Sequence, residues 1–174
     1  MYYFSAKYKK LEKLVSNALR IIVFIGKQSA WLNLFLVLII CFDVLQRYLF
    51  NQSYNWILET EWHLFGLIFL LGSAYTLQED KHVRVDIFYA TFSEKRKAWV
   101  DLLGSLILLI PWSVICIKTC LSYANNSWFI REGSPNPGGL PAWYPIKYFV
   151  VLCFVMLLVQ GILLIIKNIK TILR

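Results

Sequence analysis

Four stretches of the chain are apolar for about 20 residues each, near Trp31 to Phe50, Ile57 to Leu77, Val100 to Leu121 and Ile146 to Ile166. That is the helical length needed to cross a hydrocarbon core roughly 30 Å thick. Backbone N–H and C=O groups in lipid must be bonded within the chain, which leaves helices or closed barrels. None of the four runs shows the period-2 alternation of a barrel strand, so the chain is expected to be an all-α integral membrane protein with four transmembrane helices. Composition agrees, since 59% of the 174 residues are hydrophobic and only 16% charged, against about 25% charged in a soluble domain. Disorder is excluded by the same balance.

The net charge of +8 does not indicate nucleic acid, because the basic residues sit in short segments beside the apolar runs instead of on one solvated face. They orient the spans. Six Lys or Arg precede the first span, five lie between the second and third, three follow the fourth, and the other two loops hold only Arg131 and Lys147. Both termini and the middle loop are therefore expected on the cytoplasmic side. Residues 31–174 form the four-helix domain and residues 1–30 a basic N-terminal segment. The short apolar stretch in that segment is interrupted at Gly26, Lys27 and Gln28, with no small-residue cleavage site after it, so the first span is expected to stay as an anchor. Leu11, Leu14, Val15, Ala18 and Ile22 recur at helical spacing among lysines. That pattern fits either an amphipathic helix on membrane lipid or an extension of the first span.

Ionisable residues inside spans are where function is sought first. Asp43 and Arg47 are one helical turn apart and can pair, while Glu59 and Glu61 open the second helix just beyond a short loop. The four read as an ion-paired cluster locking the first hairpin, or alternatively as a substrate or cation site. Along the second helix Glu59, His63, Gly66, Leu70 and Ser73 share a small and polar stripe. Such a stripe packs helices closely, within this chain or against another. Pro111 is expected to kink the third helix, and Ser93 to cap its start with Glu94 in the first turn. The segment from Gly133 to Pro145 is expected to form stiffened turns, with Trp128, Trp143 and Tyr144 in an interfacial belt.

A transporter path within this chain is not expected, because no inverted repeat or midplane break is visible. An accessory subunit on a larger partner fits better. An independent four-helix anchor for haem or quinone in a redox complex is the alternative, yet His63 and His82 are 19 residues apart, roughly 28 Å along a helix. They cannot ligate one haem. Cys41, Cys116, Cys120 and Cys153 all fall in spans without a Cys-x-x-Cys pair, which argues against a thiol oxidase. No Walker loop, zinc motif or hydrolase elbow occurs, so neither enzyme activity nor a cofactor is expected.

An ordered set of motifs resembles a known family. It runs from Arg47-Tyr48-Leu49-Phe50-Asn51 through Trp56, Glu59, Glu61 and Trp62-His63-Leu64-Phe65 to Leu70-Leu71-Gly72-Ser73-Ala74-Tyr75-Thr76-Leu77. His82-Val83-Arg84-Val85-Asp86 follows, then Glu132-Gly133-Ser134-Pro135 and Gly138-Gly139-Leu140-Pro141. Together with the four-span layout, these resemble the small, Q-type membrane subunit of tripartite ATP-independent periplasmic (TRAP) transporters. The resemblance implies a bacterial inner-membrane complex with a large multi-span subunit and a periplasmic substrate-binding protein. It further implies sodium-coupled uptake of an organic acid, with the small subunit as scaffold. Arg47, Glu59 and Glu61 match the family's charged hairpin positions, and His82, Arg84 and Asp86 its loop motif. That loop is either a solvated turn or a contact with the large subunit, and His63, Gly66 and Ser73 are further partner-contact candidates. The loop from Trp128 to Tyr144 either docks the binding protein or is a rigid, lipid-anchored connection.

Overall fold

The computed structural model describes residues 2–79, 89 and 91–173, the side chains of 2–14 excepted. Among these residues the regular elements are all helical: α1 (Tyr2–Ser29), α2 (Leu32–Phe50), α3 (Asn55–Gln78), α4 (Glu94–Gly104), a wide turn (Ser105–Leu109), α5 (Ile110–Phe129) and α6 (Tyr144–Ile172). Four helical stretches are long and apolar enough to cross a membrane. All four extend beyond the 20-residue estimate, over 36, 24, 36 and 29 residues. Apolar content marks only the part of a helix that lipid covers, and backbone hydrogen bonding carries the helix on into the aqueous boundary.

Helix α1 runs through Gly26 without a break and ends in a tight corner. The Ala30 and Trp31 amides bond back to Lys27 and Gln28 carbonyls at 3.3 and 3.1 Å, and the Ser29 hydroxyl donates to the Gly26 carbonyl at 2.7 Å. Val15, Ala18, Leu19, Ile22 and Ile25 then lie against Leu71 and Ala74 of α3 and against Met156, Leu157, Val159 and Leu163 of α6. The apolar stripe read from the sequence in this part of α1 is thus covered by protein. Periodicity identifies such a stripe but not what covers it.

Helix α2 stops at Asn51, whose φ of 52° is left-handed and whose amide bonds to Gln46 O. Asn tolerates that conformation better than most side chains. Pro111 has no N–H to continue the helical ladder. The chain answers with the wide turn just before it, where the Ile110 amide reaches the Ser105 carbonyl; widened turns of this kind re-aim a helix. Here Leu109 is brought to Gly161 of α6, where a Cβ would stand 2.9 Å from the leucine methyl. Ser93 takes the extended backbone of an N-cap, but its side chain makes no capping bond.

The helices form an open row. Helix α2 packs on α3, α3 on α6, and α6 on α4 and α5, while α1 lies across α3 and α6. Between α2 and the α4–α5 rod contact is at most marginal, so the four spans do not close around an interior. Leu34, Phe35, Leu38 and Leu45 on α2 and Leu106, Ile107, Trp112 and Ile115 on the third span stay largely exposed. In water such a surface would aggregate, but in a bilayer it is lipid-facing or partner-facing at no hydrophobic cost.

Candidate functional site

The loop between α5 and α6 is folded around one carboxylate. Glu59, in the second turn of α3, is 2% exposed, and it accepts from the Leu140 amide at 2.7 Å, the Trp143 indole Nε1 at 3.2 Å, Asn136 Nδ2 at 3.1 Å and the Ser134 hydroxyl. No described cation lies within 4 Å of it. Four neutral donors satisfy the anion instead, which is how a buried carboxylate is held when no counter-ion is present.

The loop sequence is suited to that geometry. Proline and glycine alternate through it, and the left-handed φ of 69° at Gly138 favours glycine. A Cβ at Gly139 would sit 2.2 Å from Ser134 Oγ and 2.6 Å from Glu59 Oε1, and one at Gly133 would sit 2.9 Å from the Pro141 carbonyl. Backbone bonds cross the loop from Ser134 N to Leu140 O and from Trp143 N to Glu132 O, both 2.8 Å. From α3, Asn55 Nδ2 donates to Pro137 O at 2.9 Å.

A second clasp joins the loop to α6. Lys147 is 8% exposed, donates to Glu132, and stands 3.9 Å from the centre of the Tyr123 ring, a cation–π contact. The hydrogen bond from Lys147 holds the Glu132 carboxyl below its ordinary range. A depressed carboxyl contributes stability that is present above its unfolded pKa and lost as pH falls through the folded one. Beside this clasp the Arg131 guanidinium stacks 4.8 Å from the Trp128 ring, which meets Tyr144 edge-on at 4.8 Å.

Of the four hairpin charges, Asp43, Arg47 and Glu61 lie within electrostatic reach of one another, whereas Glu59 stands apart. Arg47 pairs with Asp43 across one turn of α2, Glu59 turns to the loop, and one carboxylate oxygen of each of Asp43 and Glu61 is buried without a hydrogen-bond partner. The stripe on α3 divides in the same way. His63 Nδ1 lies 2.6 Å from the Glu59 carbonyl, and its ring packs beside Trp62 and Trp143. Ser73 turns inward, with its Oγ 3.2 Å from Cys153 Sγ of α6. Gly66 faces open space, with nothing within 4 Å of where its Cβ would be. His82, Arg84 and Asp86 lie outside the described residues.

Sequence reasoning missed Ser134, Asn136, Leu140 and Trp143 as the partners of Glu59, and Gly26 as the place where α1 meets Tyr75 of α3. The usable signal was a carboxylate at a span end with no Lys or Arg one turn away, together with a donor-bearing Gly/Pro loop at the same end of the spans. Among the described residues there is no cluster of three metal-ligating side chains. The arrangement ties the loop across the ends of α3 and α6.

A comparison with curated proteins finds no match. A family profile does match, over residues 36–171, and its description is "Tripartite ATP-independent periplasmic transporters, DctQ component". The matched region holds all of α3 to α5, most of α2 and α6, and the Glu59-clasped loop, and it gives the haem or quinone-anchor alternative no support. This multi-pass membrane chain therefore belongs to the DctQ family, the small membrane subunits of TRAP transporters.

Proposed function

We propose that the chain is the scaffold of a sodium-coupled TRAP importer of an organic acid in the bacterial inner membrane, with both termini cytoplasmic. It holds a large multi-span subunit that carries the path, and a periplasmic binding protein delivers substrate to the assembly. The open row of helices is the observation that carries this reading. A row encloses no route for a solute, whereas it offers broad apolar faces on which another membrane subunit can lie. On α3, in the middle of the row, Trp62, Phe65 and Phe69 are 50%, 64% and 69% exposed, with Gly66 open beside them. This face and the segment with His82, Arg84 and Asp86 are the proposed contacts of the large subunit. The Glu59-clasped loop keeps the outer end of the row rigid for docking on that side.

Proteoliposomes containing the large subunit alone, this chain alone, or both, under an inward sodium gradient with the binding protein outside, test the proposal. Organic-acid uptake is expected only with both. Uptake by this chain alone would contradict a scaffold role, and undiminished uptake by the large subunit alone would show that no scaffold is needed.

A further inference from the structure

Where α1 crosses α3 and α6, the fold leaves a cleft of about 350 Å³, within the size range of small-molecule sites. Val15, Leu19 and Leu163 supply part of its apolar wall, and Lys167 and Lys170 also line it. These lysines are three residues apart on α6, exposed, and have no carboxylate within 4 Å among the described residues. Gln160 also lines the cleft. It is 2% exposed, its Nε2 donates to Gln78 Oε1 at 2.5 Å, and its carbonyl oxygen is buried without a hydrogen-bond partner. A buried amide with one satisfied end is uncommon in a finished core and signals a missing donor.

The geometry points to a bound anionic glycerophospholipid: phosphate on Lys167 and Lys170, and the start of an acyl chain on the Val15–Leu19–Leu163 wall. Each half of the cleft excludes a simpler ligand. Free phosphate would use the lysines but leave the apolar wall wet, and a neutral acyl chain would use the wall but leave two exposed ammonium groups idle. An amphiphile with a negative head satisfies both, and basic pockets between membrane helices bind such headgroups. The lipid would also join α1 to α6, extending the contact made by the Ile22 core. This site does not depend on the scaffold role, and its test reads binding, not transport.

Native mass spectrometry of the full chain, equilibrated in detergent with equal amounts of dioleoyl-phosphatidylglycerol and dioleoyl-phosphatidylcholine, tests the site. The wild-type chain is expected to retain phosphatidylglycerol preferentially, and the Lys167→Gln/Lys170→Gln variant to lose that preference by roughly tenfold. Lys95→Gln/Arg96→Gln, which removes the same charge at the start of α4, should leave it unchanged. Equal retention of the two lipids by the wild-type chain would overturn the proposal without recourse to any variant. So would an equal loss in the Lys95/Arg96 control, which would mean nonspecific charge attraction, or displacement by excess inorganic phosphate, which would mean an ion site only.

Discussion

Replacing Glu59 by alanine is expected to release the α5–α6 loop from α3. Four donors converge on this carboxylate, from Ser134, Asn136, Leu140 and Trp143, and alanine would leave them facing each other without an acceptor. Unmade hydrogen bonds of buried groups cost more than made ones contribute. Glutamine is expected to be milder. Its carbonyl can serve the Leu140 amide and the Trp143 indole, its NH2 can donate to the Ser134 hydroxyl, and only the Asn136 bond is lost. Aspartate, one methylene shorter, should fall near alanine. Hydrogen–deuterium exchange at the Leu140 amide reads this directly, with protection falling by about tenfold or more in the alanine variant and largely kept in the glutamine variant. Unchanged protection in Glu59→Ala would mean that the Gly/Pro backbone holds the loop by itself.

The second large effect is expected at Gly26, where a Cβ would lie 2.3 Å from Tyr75 Cβ and 2.6 Å from Tyr75 Cγ. Both atoms are close to the α3 backbone, so the ring cannot swing aside and α1 must move away. Forcing a methyl into such a contact costs about 1–3 kcal/mol, and Gly26→Val should cost more than Gly26→Ala. Gly66→Ala is the matched control: it lies inside α3 with open space around it, and there alanine removes unfolded-state freedom, a gain of about 0.4–1 kcal/mol. Thermal unfolding of the purified chain should therefore move in opposite directions for the two alanine variants. A Gly26→Ala chain as stable as the wild type would place α1 farther from α3 than described.

The spans were legible because four apolar runs admit only one solution in lipid. What the helices touch was not. The stripe through Val15, Ala18 and Ile22 reads the same whether lipid or protein covers it, and only the fold brings Ala74 and Met156 against Ile22. Glu59 was recognised as a charge worth explaining, and Glu132-Gly133-Ser134-Pro135 and Gly138-Gly139-Leu140-Pro141 as motifs of the same family. Their meeting across 75 to 84 residues of chain has no trace in local spacing. Charge alone cannot rank the partners of Arg47, which has Asp43 on its own helix and Glu61 of α3 within electrostatic reach. The i to i+4 pair prevailed, since its geometry is fixed within one helix. Pro111 announced a disturbed ladder, but not that it would be absorbed as a widened turn one step earlier.

The most direct test of the scaffold account is the composition of what co-purifies with the tagged chain from native membranes in mild detergent, identified and counted by mass spectrometry. The account predicts a large multi-span transporter subunit at one copy per chain, lost when the open face of α3 is altered by Gly66→Leu. Recovery of the chain alone, or of a complex that Gly66→Leu leaves intact together with changes at Trp62 and Phe65, would contradict it.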